Sequence, residues 1–150
     1  MARRVFRVLH IDDEAPIRQL VRVNLEAEGM EVIEAEDGPT GIPLAKHEQP
    51  DIILIDVIMA GFDDGWQVAG ELAKDRKTRE IPIVFLSARS AFRDRARGFD
   101  LGAVDYILEP FDPIEMASRL RGLLERLERG EQDELRREKL SELRALKDEE

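Results

Sequence analysis

The chain has no cysteine, no long apolar run and no excess of basic residues. Without cysteine it can form neither a disulfide framework nor a thiolate metal site, which fits a reducing compartment. No stretch approaches the roughly 20 apolar residues of a transmembrane helix. The amino terminus also lacks the longer apolar segment of a signal peptide. We therefore expect a soluble, cytoplasmic protein without a membrane partner.

Acidic residues outnumber basic residues by 33 to 23 and give a net charge of −10. A basic stripe is the usual electrostatic signature of nucleic-acid binding, so this balance argues against direct contact with nucleic acid. Several arginines do lie close together between positions 89 and 97, but Asp94 and Asp100 are interleaved with them. That alternation favours a solvated helix face over a phosphate-binding patch.

The chain does contain a regular alternation of short apolar runs and helix-like segments. With 43% hydrophobic residues among 150, it can build one domain with a proper core. The runs are typical of buried parallel strands, and they lie at residues 5–11, 30–35, 51–56, 81–86 and 103–108. A helix-like segment follows each run, although Gly41 and Pro43 weaken the second one. The pattern predicts an α/β fold with a doubly wound, five-stranded parallel sheet.

Three of the apolar runs end on oxygen-bearing side chains. The first runs into Asp12 and Asp13, the third into Asp56 and the fourth into Ser87. Because ligands of open α/β sheets bind outside the carboxyl ends of the strands, these side chains are expected around one crevice. Carboxylates suit a hard divalent cation such as Mg²⁺, although a single Asp at a strand end often caps the next helix instead. His10, two residues before the acids, could face the crevice, but we expect it to be a hydrogen-bonded strand residue.

Taken in order, these motifs resemble the receiver domain of two-component response regulators. The resemblance covers roughly residues 5–127, and the segments that carry it are Asp12-Asp13-Glu14, Asp56-Val57-Ile58-Met59, Leu86-Ser87-Ala88 and Gly102-Ala103-Val104-Asp105-Tyr106-Ile107 with Pro110-Phe111. It implies a flavodoxin-like (βα)5 fold. It also implies that the chain serves as a phosphoacceptor that assists its own transfer, rather than as an enzyme with an external substrate.

The resemblance implies a role for each site residue. Asp56 would accept a phosphoryl group from a histidine kinase or phosphotransfer protein. Asp12, Asp13 and Asp56, together with the carbonyl of Ile58, would hold Mg²⁺. The product would be a charged group that can reorder a neighbouring loop.

The same resemblance implies a switch beside the acceptor. Ser87, followed by Ala88, would bind the phosphoryl oxygens. Tyr106 would turn inward when Ser87 moves. From the residues alone, Ser87 could equally be a turn hydroxyl and Tyr106 a core side chain.

The largest departure from the family pattern is Glu109, where receiver domains usually carry a lysine before the Pro-Phe pair. An anion replaces a cation beside the other acids, which is a swing of two charges. The interaction between two unit charges at about 4 Å is worth about 1 kcal/mol in a water-like dielectric and about 4 kcal/mol in the dielectric of a protein surface. The phosphorylated state should therefore be harder to form, or its signal harder to transmit. Arg89 could supply a rescuing cation, although an exposed arginine is the more ordinary interpretation.

A smaller departure lies in the loop after Asp56. Ala60 stands where the family has proline, and Gly65 indicates one inserted residue around Phe62 to Asp64. Asp63 and Asp64 are either additional ligands or part of a solvated acidic loop. Trp66 is expected to pack in the core, where its fluorescence could report on the site.

The composition changes near residue 127, so we divide the chain into a receiver at 1–127 and a charged helical C-terminal extension at 128–150. The extension is either a solvated helix or a helix that binds a partner or forms a homodimer. It is too short for a helix-turn-helix or catalytic domain, so output by contact with a downstream protein is expected. The sequence could also be a fragment of a longer protein.

Two functions fit these observations. The first is a phosphorylation-driven receiver with Asp56 as acceptor and switching altered by Glu109. The second is a pseudo-receiver that keeps the fold as a protein-interaction or dimerisation module without the phosphate switch. The acids and Ser87 favour the first function, and Glu109 favours the second.

Overall fold

The computed structural model describes residues 4–59 and 64–149, which form one parallel sheet between two layers of helices. The strands are β1 (Arg7–Ile11), β2 (Glu31–Ala35), β3 (Ile52–Asp56), β4 (Ile83–Ser87) and β5 (Asp105–Leu108). The helices are α1 (Ala15–Ala27), α2 (Gly38–Glu48), α3 (Gly65–Lys74), α4 (Phe92–Asp100), α5 (Pro113–Glu128) and α6 (Gln132–Glu149).

The strand order is β2-β1-β3-β4-β5, and every neighbouring pair is parallel. This order confirms the predicted doubly wound, five-stranded fold. It also makes β1, β3 and β4 consecutive neighbours, so that their carboxyl ends lie side by side. The direction of winding reverses beside β1, which is where ligands of such sheets bind.

Each central strand supplies residues to two hydrophobic cores, because successive side chains point to opposite faces of the sheet. One core lies under α1 and α5 and contains Val8 and Leu54. The other lies under α2 and α3 and contains Leu9, Ile55 and Phe85. Burial on both faces explains why the strands are continuous apolar runs rather than alternating ones.

The second helix, predicted to be weak, is a regular helix of 11 residues that contains Pro43. Its start is capped because the carboxylate of Asp37 accepts a hydrogen bond from the N–H of Thr40 at 2.8 Å. Gly41 lets this helix approach β1 closely, since a Cβ there would lie 2.5 Å from Cδ1 of Ile11. Tertiary packing therefore outweighs the low helix propensity of this segment.

The C-terminal extension forms α6, a separate helix that begins after a short turn at the end of α5. One side of α6 is packed against the domain, since Leu135 is only 3% exposed and belongs to the core under α1 and α5. Within the residues that the structure describes, no helix is long and apolar enough to cross a membrane.

Candidate functional site

Three carboxylates converge at the carboxyl ends of β1 and β3. Asp12 and Asp13 follow β1 and Asp56 ends β3, and their oxygens lie within 4.8 Å of one another. Asp12 and Asp56 are buried, whereas Asp13 is exposed. The acids that the sequence predicted to share a crevice are thus brought together, because β1 and β3 are direct neighbours in the sheet.

Backbone hydrogen bonds fix one oxygen of each buried carboxylate. Oδ1 of Asp12 accepts from the N–H of Glu14 at 2.9 Å, and Oδ1 of Asp56 accepts from the N–H of Ile58 at 3.1 Å. Oδ2 of Asp12 is buried and has no hydrogen-bond partner in the described part of the chain. A buried carboxylate oxygen without a partner is costly, and a cation would satisfy it.

Burial is the main cause that raises the pKa of Asp56 to about 8, followed by the charges of Asp12 and Glu109. The charge of Asp13 adds to the rise, and the hydrogen bond from Ile58 opposes it. Without a cation, therefore, a large fraction of Asp56 is protonated at neutral pH. A positive charge in the crevice would restore the carboxylate anion.

This donor set fits Mg²⁺, which proteins usually hold through one or two carboxylates with water and phosphate oxygens completing the shell. Asp12, Asp13 and Asp56 supply oxygens of the preferred type within reach of one another. The carbonyl of Ile58 remains a predicted fourth ligand. Its backbone is held next to Asp56 by the hydrogen bond from the Ile58 N–H.

Glu109 is partly buried, and its charge interacts with those of Asp12 and Asp56. Its backbone N–H donates to the carbonyl of Ser87 at 2.8 Å, which anchors it at the end of β4. Burial raises the pKa of the Glu109 carboxyl, and the charges of Asp12 and Glu14 raise it further. The position where receiver domains usually carry a lysine therefore adds to the negative charge of the crevice.

Ser87 and Tyr106 meet at the backbone of Arg89. The hydroxyl oxygen of Ser87 accepts from the N–H of Arg89 at 3.0 Å, and the Tyr106 hydroxyl donates to the Arg89 carbonyl at 2.8 Å. Tyr106 is buried, and burial raises the pKa of its phenol, while a hydrogen bond with Ser87 lowers it. The ring is thus already turned inward towards Ser87. Ala88, between these contacts, is exposed.

The side chain of Arg89 is 53% exposed and lies 3.8 Å from the carboxylate of Asp94 on α4. In this arrangement its charge pairs with α4. Its role as a rescuing cation for the acid cluster stays a prediction that requires the side chain to move.

Trp66 packs between Tyr106 and the core. Its ring lies 4.9 Å from that of Phe85 and 6.4 Å from that of Tyr106, measured between centroids. It is buried, as the sequence predicted. A change in the environment of Tyr106 would therefore reach the single tryptophan of the chain.

The departures predicted at Ala60, Phe62 and Asp63 lie outside the described residues. Asp64 caps α3, since its carboxylate accepts from the N–H of Gln67 at 2.9 Å. Gly65 follows it in close contact with the end of β3: a Cβ on Gly65 would lie 2.4 Å from the Asp56 carbonyl oxygen.

His10 differs from the hydrogen-bonded strand residue expected from the sequence, and that expectation was wrong. Both of its ring nitrogens are buried without a hydrogen-bond partner in the described residues. Its Nε2 lies 3.3 Å from Oδ2 of Asp12. The ring therefore borders the acid cluster at the end of β1.

Sequence reasoning also missed an ion pair made by a buried carboxylate at the start of β5. Asp105 accepts two hydrogen bonds from the Arg119 guanidinium, at 2.8 and 2.7 Å. The sequence does contain a signal for this pair, namely an acidic residue inside an apolar run that is expected to be buried. Since a buried charge requires a partner, such a residue predicts an ion pair. The sequence alone did not indicate which arginine would pair with it.

The chain matches the family model of the response regulator receiver domain over residues 8–121. It is 43% identical over 123 residues to the DNA-binding dual master transcriptional regulator RpaA of Synechocystis, covering 82% of this chain and 51% of that protein. It is 40% identical over 121 residues to the phosphate regulon transcriptional regulatory protein PhoB of Escherichia coli, covering 81% of this chain and 52% of PhoB. The chain thus spans about half the length of these curated relatives.

Solved structures show the same architecture. The chemotaxis protein CheY4 of Vibrio cholerae superposes with a TM-score of 0.73 at 27% identity, over 79% of this chain and 98% of CheY4. A CheY-like receiver domain protein of Methanospirillum hungatei gives 0.76 at 21% identity, over 85% of this chain and 99% of its own, and supports the fold alone. The acid cluster, the strand order and these matches agree, and the chain belongs to the response regulator receiver domain family.

Proposed function

We propose that this receiver accepts a phosphoryl group on Asp56 from a histidine kinase or phosphotransfer protein. The observation that carries the proposal is the convergence of the Asp56 carboxylate with Asp12 and Asp13 in one crevice. An Asp56 oxygen attacks the phosphorus in line, the bond from phosphorus to the donor nitrogen breaks, and an acyl phosphate forms. Such a transfer depends mainly on positioning and on neutralisation of charge.

Receiver domains generally bind Mg²⁺ at this acidic pocket. Mg²⁺ supplies the positive charge that offsets the carboxylates and the phosphoryl oxygens. The residues of the chain position the acceptor: Ile58 orients the Asp56 carboxylate, and Glu14 orients that of Asp12. The chain thereby assists the transfer to, and the hydrolysis from, its own side chain, and it has no external substrate as an enzyme would.

The readout we propose runs through Ser87 and Tyr106. A phosphoryl group on Asp56 attracts the Ser87 hydroxyl, which gives up the N–H of Arg89. Because Tyr106 is bonded to the carbonyl of the same residue, the start of α4 follows. Receiver domains of this kind interact with histidine kinases and downstream effectors. We place the present chain with them in the cytoplasm, signalling by protein contact rather than by binding nucleic acid itself.

Glu109 supports a second candidate function, a pseudo-receiver that serves as an interaction or dimerisation module without phosphorylation. The Glu109 carboxyl adds negative charge next to the acceptor, where an incoming phosphoryl group is also negative. We favour the first function, with slower or weaker switching, because the acceptor and its neighbouring acids are all in position.

The Glu109→Lys substitution separates the two candidates, with Trp66 fluorescence as the readout. Mg²⁺ and acetyl phosphate should change the fluorescence of the wild-type chain, and the change should be at least about fivefold faster in Glu109→Lys. The Asp56→Asn variant is the control and should give no change. A pseudo-receiver silenced by Glu109 would give a phosphate-dependent signal only in Glu109→Lys, and one that has lost the phosphate site altogether would give no signal in either chain.

A further inference from the structure

α6 turns back and lies along α4, β5 and α5 of its own domain. We call this surface the α4–β5–α5 face and define it by Phe92 on α4, Asp105 on β5 and Arg126 on α5. The guanidinium of Arg126 donates two hydrogen bonds to the Glu138 carboxylate, at 2.7 and 3.0 Å. It donates a third at 2.9 Å to Glu131, in the turn before α6.

Two lysines of α6 extend the contact to the other elements of the face. Lys139 is 14% exposed, and its ammonium lies 3.3 Å from the Asp105 carboxylate, which also binds Arg119. Lys147, two turns further on, lies 5.9 Å from the ring centre of Phe92. The helix is therefore in contact with the face along most of its length.

Leu135 is the apolar anchor of α6. It joins the core that contains Leu123 and Leu124 of α5, and the partly buried Val104 packs against the same core. A cavity of about 160 Å³ remains between α6 and the turn from α4 to β5. One buried leucine, several ion pairs at the rim and an unfilled cavity are typical of a contact that opens locally.

We propose that α6 is a built-in ligand that closes the α4–β5–α5 face to a partner helix. A partner helix reaches this face only when α6 leaves. The partner that fits presents an apolar residue, an acid three positions later and a base four positions later, as Leu135, Glu138 and Lys139 do on one side of α6. This proposal does not depend on phosphorylation of Asp56.

The test uses the full chain and a variant of α6 that leaves the face intact. Glu138→Arg combined with Lys139→Glu reverses two of the charges with which α6 meets the face and keeps the net charge unchanged. Hydrogen exchange of the amides in residues 132–149 should accelerate about tenfold or more, with strand amides unaffected. Leu135→Asp is a second way to open the contact. Arg144→Glu is the matched control on an exposed position of α6 and should exchange like the wild type.

A labelled peptide of residues 131–149 then tests whether the face is a binding surface. The peptide should bind the opened Glu138→Arg/Lys139→Glu chain about tenfold or more tightly than the wild type, in which α6 already occupies the face. Adding Arg126→Glu to the opened chain should abolish binding.

Rapid exchange of α6 in the wild type, equal to that of the opened variants, would overturn the proposal. Failure of the peptide to bind the opened chain better than the wild type would do the same. A dimer by light scattering whose α6 protection depends on concentration would assign the contact to a second copy, and it would equally overturn occupation within one chain.

Discussion

At the scale of single residues, the chemistry of the site is set by charges that surround Asp56. Burial and the nearby acids favour its neutral form, while the nucleophile that phosphoryl transfer needs is the anion. Glu109 stands at the position where the family pattern supplies a cation, so a bound divalent cation would have to carry more of the compensation here.

The raised pKa of Asp56 predicts how stability depends on pH. An acid whose pKa is higher in the folded than in the unfolded state stabilises the fold at low pH, and this contribution is lost as the pH rises towards the folded-state value. Without divalent cations, Asp56 should therefore lower the free energy of unfolding progressively between about pH 4 and about pH 8.

Asp56→Asn removes this loss. We expect the free energy of unfolding of the variant to match that of the wild type near pH 4 and to exceed it by about 1–3 kcal/mol at pH 8. This difference is smaller than the full pKa shift would give, because solvent screens the charges in the crevice. Urea denaturation of both chains in the presence of EDTA measures the two differences. An equal difference at both pH values would mean that the acceptor carboxyl is not perturbed in the folded state.

At the scale of elements, the site depends on how strand ends meet the loops that follow them. The loop after β3 returns to α3 through Gly65, whose N–H donates to the carbonyl of Val57 at 2.9 Å. A Cβ at this position would lie 2.4 Å from the Asp56 carbonyl oxygen and 2.6 Å from the Val57 Cα, both backbone atoms that cannot rotate away. The start of α3 and the acceptor are therefore held in one fixed arrangement.

Gly65→Ala should destabilise the chain by about 1–3 kcal/mol, because the added methyl group forces β3 and α3 apart. Gly70→Ala is a matched control in the same helix, where a Cβ would meet nothing within 4 Å. That control should leave stability unchanged or raise it by about 0.5–1 kcal/mol, since alanine favours the helix. Thermal unfolding of the three chains checks this, and equal losses in both variants would exclude a specific role for Gly65.

The parts of the structure that sequence predicted are those encoded locally. Each strand is one apolar run, and Asp12, Asp13 and Asp56 occupy strand ends, so the cluster follows once the sheet is known to be parallel. The parts it missed join distant segments. The contact between Lys139 and Asp105 and the orientation of His10 depend on how helices pack over the sheet. Many charged residues in the C-terminal extension could have formed such pairs, and no periodic pattern distinguishes those that do.

At the scale of the whole molecule, one strand order brings together the acid cluster, the Ser87–Tyr106 pair and the face that α6 covers. The order β2-β1-β3-β4-β5 brings the acids of β1 and β3 next to Ser87 at the end of β4. β5 then lies beside β4, so Tyr106 reaches back to Ser87 while Asp105, one residue earlier, binds α5 and α6. A change at the crevice thus lies two strands from the face that α6 covers.

The measurement that tests the central claim most directly is the intact mass of the chain after incubation with Mg²⁺ and acetyl phosphate. We predict the gain of one phosphoryl group in the wild type and no gain in Asp56→Asn, which keeps the shape of the acceptor but not its nucleophile. An unmodified wild-type mass under conditions that phosphorylate Glu109→Lys would contradict the account. It would show that Glu109 has switched the acceptor off, and that the chain acts as a phosphate-independent binding module.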